Sequence, residues 1–356
     1  MKMNESLTLR GLEIPNRMWL PPMCQYSAVD GVPTDWHKVH YGARAVGGFG
    51  LVIVESTGVV PEGRISPRCL GLWNDEQRDA FTGVVDFIHS QGSRAGIQLN
   101  HAGRKSSTYP PLPGEDHGTV PLIEGGWHPV GPSPVAFPGL AVPNELDRDE
   151  IRALPDHFAA AARRAVDAGF DVIEIHAAHG YLLHQFLSPL SNQRTDSWGG
   201  SYENHTRLLK LVITAVRTAI PDNMPLFVRT SATDWITDEP AWTLEQSITL
   251  ASELESAGVD LVDVSTGGNA PADIPVGPNY QVRFAEAIRR EAGVPTSAVG
   301  MITEPAQAEA IVAEGRADAV MIGREALRDP QWPLRAQHAL HVDPEMPAQY
   351  NRAGWR

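Results

Sequence analysis

Two histidines and a tyrosine stand close together at the end of a short β-branched run. The run Val172-Ile-Glu-Ile leads directly into His176-Ala-Ala-His179-Gly-Tyr181-Leu182. Parallel α/β proteins build their active sites from side chains at the carboxyl ends of strands, so this segment is the first candidate for catalysis. Paired imidazole N–H groups can stabilise a developing oxyanion, and a neighbouring phenol can donate a proton.

A metal site is the alternative for the histidine pair, because spacing i, i+3 suits a metal on a helical turn. Such a site normally needs a carboxylate or a thiolate as well. The nearest acid, Glu174, would lie below His176 inside the sheet. Two cysteines, Cys24 and Cys69, are too few to form a structural zinc site. Each is most simply explained as a small buried hydrophobic residue. The pattern favours an oxyanion clamp, with a metal-dependent barrel hydrolase as the second hypothesis.

The elements that must position these residues alternate regularly. A short hairpin is predicted over Leu7 to Ile14, and eight strand patterns separated by helical patterns follow it. Strict βα alternation predicts one α/β domain over 1–356, a (β/α)8 or TIM barrel. No G-x-G-x-x-G follows the first strand, which argues against a doubly wound nucleotide fold. The strands are predicted at 17–20, 51–56, 94–98, 172–176, 226–230, 261–265, 296–299 and 319–322.

Two segments depart from this regular pattern. Ser106 to Pro143 holds nine prolines and six glycines in 38 residues, far more than an ordinary βα loop. Because it follows the third strand, we expect it to cap the mouth of the barrel. Pro155 lies inside the helical pattern 149–168, which predicts either a kink there or a later helix start with Pro155 in the first turn.

The strand ends together supply one thiol, one amide, two imidazoles, a phenol and two guanidinium groups, with almost no carboxylate. Glycines and a cation after strands seven and eight suit a phosphate, although glycine at a strand end is common in itself. A buried, unpaired Arg229 is costly unless it faces an anion, and the amide of Gln98 suits the edge of a heterocycle. These features predict bound flavin mononucleotide (FMN), with Arg229 stabilising the reduced ring. The strand-end residues are Cys24, Tyr26, Ser56, Gln98, His176, His179, Arg229, Ser265, Gly300, Gly323 and Arg324.

Longer motifs, spread nearly from end to end, are similar to one known family. As a set they resemble the Old Yellow Enzyme ene-reductases, class III or thermophilic-like branch, in which Cys replaces the Thr of classical members after Pro-Met. The motifs are Asn16-Arg17, Pro22-Met23-Cys24-Gln25-Tyr26, Gly96-Ile-Gln98-Leu-Asn-His-Ala-Gly-Arg104-Lys105, His176-Ala-Ala-His179-Gly-Tyr181-Leu182, Ser191-Asn-Gln-Arg194-Thr-Asp-Ser-Trp-Gly-Gly-Ser201 and Ile322-Gly-Arg324.

The resemblance implies a TIM barrel with tightly held FMN, which NADPH or NADH reduces in a ping-pong cycle. It implies reduction of the activated C=C bond of α,β-unsaturated carbonyl or nitro compounds. His176 and His179 would then bind the substrate oxygen and Tyr181 would donate a proton. Cys24 would tune the flavin potential and Tyr26 would line the substrate pocket. By the same resemblance, the isoalloxazine is held by Pro22, Met23, Cys24, Ser56, Gln98, His176 and Arg229, and the ribityl phosphate by Ser265, Gly300, Gly323 and Arg324.

The C-terminal tail, 341–356, is expected at a subunit interface of a homodimer or homotetramer. Members of the branch often end in Tyr-x-Arg-Gly-Trp, whose Arg reaches a neighbouring active site. Here Tyr350-Asn-Arg352-Ala-Gly-Trp355-Arg356 carries an extra Ala and an extra Arg. Arg352 is the candidate for that substrate-binding role, with a solvated tail cation as the alternative.

Composition limits the remaining function classes. A net charge of −14 argues against nucleic acid or an anionic membrane as the main partner. No signal peptide and no membrane-length apolar run are evident, which predicts a cytoplasmic protein. The partners that the family resemblance implies are small electrophilic alkenes and NAD(P)H. A non-catalytic flavin-binding barrel is the third hypothesis, but flavin storage alone would not require the His pair and Tyr181.

Overall fold

The computed structural model describes residues 1–355, so Arg356 of the tail lies outside the described residues. The chain opens with an antiparallel hairpin of β1 (Leu7–Leu9) and β2 (Leu12–Ile14), as predicted. Leu9 and Ile14 pack in one cluster with side chains from inside the barrel, such as Trp19. The hairpin therefore closes the amino-terminal end of the barrel and leaves the carboxyl end for a site.

Eight parallel strands close the barrel, which confirms the predicted architecture. The first three are β3 (Met18–Leu20), β4 (Leu51–Gly58) and β5 (Arg94–Asn100). A small parallel pair, β6 (Val130–Gly131) and β7 (Asn144–Glu145), follows outside the barrel. The remaining five barrel strands are β8 (Val172–Ala177), β9 (Leu226–Ser231), β10 (Leu261–Ser265), β11 (Thr296–Ala298) and β12 (Ala319–Met321), which pairs back onto β3.

Helices cover the outside of the barrel at the predicted places. Two short helices, α4 and α9, were not predicted, because one or two turns are too short for a helical period to show in a sequence. None of the helices within residues 1–355 is long and apolar enough to span a membrane. In chain order the helices are α1 (Asp35–Val46), α2 (Asp75–Ser90), α3 (Arg148–Asp167), α4 (Leu182–Leu187), α5 (Tyr202–Ala219), α6 (Leu244–Ser256), α7 (Val282–Ala292), α8 (Pro305–Ala313), α9 (Arg324–Arg328) and α10 (Trp332–Ala339).

Helix α3 lies within one residue of the predicted pattern 149–168, and of the two alternatives offered for Pro155 the later start is wrong. The helix begins at Arg148 and continues through Pro155, which lies in its interior. Asp147 caps it, because its side chain accepts hydrogen bonds from the backbone N–H groups of Asp149 and Glu150. This cap allows the helix to begin at Arg148. Because Pro155 has no backbone N–H group, the helix lacks one backbone hydrogen bond there.

The barrel is a packed core and not a pore. Every residue of β4 and β8 is buried, as expected of parallel strands covered on both faces. Inside the barrel, Trp19 and Phe227 stack with ring centroids 5.8 Å apart. A small-molecule site is therefore confined to the carboxyl-end mouth.

The segment between 106 and 143 is an ordered excursion that packs on the loop after β4. The Trp127 Nε1–H group donates to the carbonyl of Glu62 at 2.8 Å, and the Arg64 guanidinium lies 5.0 Å from a Trp127 ring centroid. Lys105, just before the excursion, places its ammonium 4.5 Å from the ring centroid of Phe137 within it. These contacts keep the proline-rich segment beside the barrel mouth.

Candidate active site

The end of β8 brings together His176, His179 and Tyr181, the three residues predicted to be catalytic. His176 is 3% exposed at the end of the strand, and His179 and Tyr181 follow in the turn before α4. The His176 ring lies perpendicular to both others, with centroids 5.1 Å from His179 and 4.9 Å from Tyr181. His179 has φ of +58°, a conformation that few non-glycine residues adopt and that concentrates at functional sites.

Both imidazoles are neutral near pH 7. Burial, and then the positive charge of Arg229, hold the pKa of His176 and of His179 well below the ordinary value. The backbone N–H of Ala178 donates to His176 Nδ1 at 3.2 Å, so the proton of the neutral ring is on Nε2. His179 Nε2 lies 2.7 Å from the hydroxyl of Ser265, which fixes the orientation of that ring.

The Tyr181 phenol is protonated at any physiological pH. Burial, followed by neighbouring Cys24 and Cys69, raises its pKa well above the ordinary value. Lys105 holds the same turn: its ammonium donates to the carbonyl of His179 at 2.8 Å and lies 5.2 Å from the Tyr181 ring centroid. Burial lowers the pKa of Lys105 to about 8. Lys105 belongs to the motif that ends the third strand region, but no role was predicted for it.

Cys24 and Tyr26 lie on the facing side, in the loop after β3. With Tyr181, they pack against a small buried cluster that includes Cys69. Contact with the Cys69 thiol, burial and the charge of Glu55 raise the pKa of Cys24, so it is a thiol and not a thiolate. Ser56, 5% exposed in β4, contributes a backbone hydrogen bond to Cys24. Cys69, which had been given no role, is thus a direct neighbour of Cys24.

The prediction that Arg229 is unpaired is wrong. Its Nε lies 3.0 Å from Asp263 Oδ2, although the two atoms are poorly directed for a hydrogen bond. The Gln98 amide donates to Glu174 Oε1 at 2.8 Å, and the Ser297 hydroxyl donates to Asp263 at 2.8 Å. Burial raises the pKa of both acids, whereas Arg229 opposes the increase.

Carboxylates lie beneath the strand ends and not at them, as the sequence predicted for Glu174. Glu174 and Asp263 belong to the layer just inside the barrel, and Glu55 of β4 lies beside the loop of Cys24. Each is an acid within a fully buried strand, and the pattern that indicated Glu174 could also have revealed Glu55 and Asp263 from the sequence.

A cavity of about 340 Å³ opens beside this cluster at the ends of β10, β11 and β12. Gly300 has φ of +132°, and a Cβ there would approach Gln281 and Tyr280 to 3.2 Å. Three arginines and a backbone without side chains at 300 and 323 suit a phosphate, while apolar and amide groups suit a ring. Of the predicted cofactor residues, this cavity is lined by Pro22, Met23, Arg229, Ser265, Gly300, Gly323 and Arg324.

Ser265 connects the two halves of the site. It lines the cavity and also contacts His179, so the histidine pair stands at one end of the cavity. Tyr280, Gln281, Met301 and Arg328 also line the cavity and had not been singled out. Within residues 1–355, no group of three or more His, Cys, Asp or Glu side chains is arranged as metal ligands would be.

Arg352 is not brought to this cavity in the single chain. It is exposed in a short 3-10 helix, Ala348–Ala353. The tail is held by Trp355, which stacks on His338 of α10 with ring centroids 5.0 Å apart. A role for Arg352 at a neighbouring subunit stays a prediction.

Comparison with known proteins gives consistent matches over the whole chain. The family model described as NADH:flavin oxidoreductase / NADH oxidase matches residues 2–343. An NADPH dehydrogenase of Geobacillus thermodenitrificans (strain NG80-2) is 48% identical over 352 residues, which cover 98% of this chain and 97% of that protein. One from Bacillus subtilis (strain 168) is 44% identical over 357 residues, 99% of each chain.

Solved structures give the same picture. A morphinone reductase superposes with a TM-score of 0.80 at 29% identity, covering 96% of this chain and 90% of that chain. An Old Yellow Enzyme homologue from Zymomonas mobilis superposes with a TM-score of 0.82 at 30% identity, covering 97% of this chain and 95% of that chain.

Proposed function

Because this chain belongs to the NADH:flavin oxidoreductase / NADH oxidase family, that of Old Yellow Enzyme, we propose that it reduces the activated C=C bond of α,β-unsaturated carbonyl or nitro compounds. The protein is a flavin oxidoreductase that uses FMN with NAD(P)H as reductant. The observation that carries the proposal is the packing of two neutral imidazoles and one protonated phenol at the end of the cavity.

The residues of the cavity fit FMN. Arg324 and the backbone at Gly300 and Gly323 would hold the phosphate, and Pro22 and Met23 would pack against the ring. The poorly directed Arg229–Asp263 pair leaves the guanidinium on the cavity wall, where it would face the pyrimidine side of the ring. When bound, the flavin supplies the hydride that reaches the β-carbon of the substrate.

The histidine pair polarises the substrate oxygen in this proposal. His176 donates from Nε2, because its Nδ1 already accepts from Ala178. His179 donates from Nδ1 when the Ser265 hydroxyl donates to its Nε2. These neutral N–H donors are held in position before the substrate arrives, so they can stabilise the negative charge that develops on the enolate or nitronate oxygen. The imidazoles do not change their protonation state in this step.

Tyr181 supplies the proton that the α-carbon needs. Its elevated pKa keeps the hydroxyl protonated, and the contact with His176 supports a position beside the bound oxygen. Cys24 and Tyr26 pack with Tyr181 against one buried cluster, and we assign Cys24 to the flavin and Tyr26 to the substrate. Ser56 and Gln98 complete the flavin side, and Arg352 is proposed to act at the site of a neighbouring subunit.

A substrate panel tests this function. Enones, maleimides and nitroalkenes are each incubated with NADPH or NADH, and saturated products are quantified by gas chromatography. The proposal predicts saturated products and parallel double-reciprocal lines. NADPH oxidation that depends on oxygen alone, with no saturated product from any compound, would refute it.

A further inference from the structure

Glu55 is a fully buried carboxylate that the proposed reaction does not use. It lies in β4, one residue before Ser56, and its side chain is 0% exposed. Removing a carboxyl group from water is unfavourable unless hydrogen bonds replace the lost hydration. An apolar residue would fill the same space in a buried strand without that cost, so the polar contacts of Glu55 indicate its role.

Those contacts join the loop after β3 to helix α1. Oε1 accepts a hydrogen bond from the backbone N–H of Gln25 at 2.8 Å, and the carboxylate also accepts one from the backbone of Tyr26. Oε2 accepts from the Tyr41 hydroxyl at 2.6 Å. That hydroxyl in turn accepts from the N–H of Glu55 at 3.0 Å. Glu55 therefore holds two consecutive amide groups of the loop from below.

The loop needs such support because it has no strand or helix of its own. Residues 21–28 form no regular secondary structure, and Tyr26 has φ of +51°, which is strained for a non-glycine residue. Strained conformations persist only when surrounding contacts hold them. In this conformation the side chains of Cys24 and Tyr26 pack, with Tyr181, against the small buried cluster that includes Cys69.

We propose that Glu55 is a positioning residue, whose carboxylate holds the Cys24-Gln25-Tyr26 loop in the conformation that the substrate pocket requires. The effect on turnover rests on the proposed function, whereas the effect on the loop itself does not. Glu55 acts through Tyr26 and has no direct contact with the reacting atoms.

The electrostatic surroundings indicate that accepting hydrogen bonds, and not pairing with a cation, is the role of Glu55. His37 Nε2 lies 3.8 Å from Oε2, but burial lowers the pKa of His37 to about 4 and that of His40 to about 3, so both are neutral. The other titratable neighbours are Tyr26, Tyr41 and Cys24, none of which carries a positive charge.

Two substitutions distinguish the effect of the hydrogen-bond acceptor of Glu55 from the effect of its negative charge. Glu55→Gln keeps an acceptor oxygen for the loop and removes the charge, whereas Glu55→Leu removes both. Each is made in the wild-type and in the Tyr26→Ala background, and KM and kcat for 2-cyclohexenone are measured on FMN-loaded protein. We expect Glu55→Leu to raise KM at least tenfold with kcat within threefold, and Glu55→Gln to stay within threefold. In the Tyr26→Ala background, Glu55→Leu should change KM by less than threefold.

Amide hydrogen exchange measures the loop without any substrate. Glu55→Leu should accelerate exchange in the peptide over 23–28 at least tenfold, Glu55→Gln less than threefold, with exchange in β8 unchanged as the internal control. Should Glu55→Leu not fold, Glu55→Asp replaces it, because the shorter side chain cannot reach Gln25 and Tyr41 together; at least threefold faster exchange is then expected.

The outcomes distinguish this inference from the proposed function. A wild-type protein that reduces no enone refutes the function, and hydrogen exchange then decides the role of Glu55 alone. Exchange in 23–28 that is unchanged in Glu55→Leu or Glu55→Asp overturns the inference. So does a KM increase of equal size in the two backgrounds, because it would show that Glu55 does not act through Tyr26.

Discussion

At the scale of single residues, the protonation states in the site follow from burial. His176 and His179 are held neutral and Tyr181 is held protonated, so the site has its hydrogen-bond donors ready over the physiological pH range. The residue types and spacing predicted that these three side chains lie together, and the ring contacts confirm that proximity, whereas their catalytic roles stay a prediction. The tautomer of His176 was not predictable, because it depends on a backbone N–H that only the folded turn supplies.

Replacing His176 by Ala should abolish most enone reduction while the flavin stays bound. Losing one oxyanion donor lowers the rate by about 10²- to 10³-fold. The measurement is kcat/KM for 2-cyclohexenone together with the ratio of flavin to protein absorbance. The matched control is His157→Ala, an exposed histidine of α3. Turnover that is equal in both variants would remove His176 from the mechanism.

Replacing Tyr181 by Phe should lower kcat by about 10²-fold, because general acid catalysis is lost. Tyr26→Phe is the matched control, since it removes the other phenol of the same pocket, and its effect should fall mainly on KM. Both are measured by steady-state kinetics with saturating NADPH. A larger loss of kcat in Tyr26→Phe than in Tyr181→Phe would exchange the two assignments.

The buried acid Glu55 should make stability depend on pH. Burial raises its pKa in the folded protein to about 7, against an ordinary value of 4.5. The folded state therefore binds the proton more tightly, so this contribution to stability is largest at low pH and is lost as pH rises through about 7. Relative to Glu55→Gln, the wild type should lose up to about 3 kcal/mol between pH 4.5 and pH 8. Urea midpoints at several pH values measure it, and a constant difference would refute the shift.

At the scale of elements, strands and long helices were predictable and the contacts between their ends were not. Hydrophobic periodicity located all eight barrel strands, but it could not show that Asp263 on β10 reaches Arg229 on β9. That pairing follows from strand register, which is a property of the closed sheet. The pattern 149–168 located α3 within one residue, but it could not decide between a kink and a later start, because that choice depends on the Asp147 cap.

The excursion over 106–143 should depend on Trp127 for its order. Trp127→Ala removes the hydrogen bond to Glu62 and the contact with Arg64, so limited proteolysis within the segment should become about tenfold faster. Ile123→Ala is the control in the same segment, because Ile123 is 94% exposed. Equal cleavage of both variants would show that other contacts order the excursion.

At the scale of the whole molecule, the two ends of the barrel differ in role: one end stabilises the fold and the other carries the candidate site. The hairpin and the packed interior close the amino-terminal end, and the loops of the carboxyl end carry the polar cluster and the cavity. The fold and most of the site were predictable because strand ends in a barrel converge by geometry. Of the acids below the site, the sequence indicated Glu174, whereas the contacts of Glu55 and Asp263 depend on loops and neighbouring strands that only the folded chain brings together.

The central claim is that the same site takes electrons from NADPH and passes them to an activated alkene. The most direct measurement is anaerobic stopped-flow absorbance of the FMN-loaded protein. NADPH should bleach the flavin, and 2-cyclohexenone mixed with the bleached protein should restore the oxidised spectrum at a saturable rate, with one cyclohexanone formed per flavin. A flavin that NADPH bleaches but that no enone, maleimide or nitroalkene reoxidises would contradict the account.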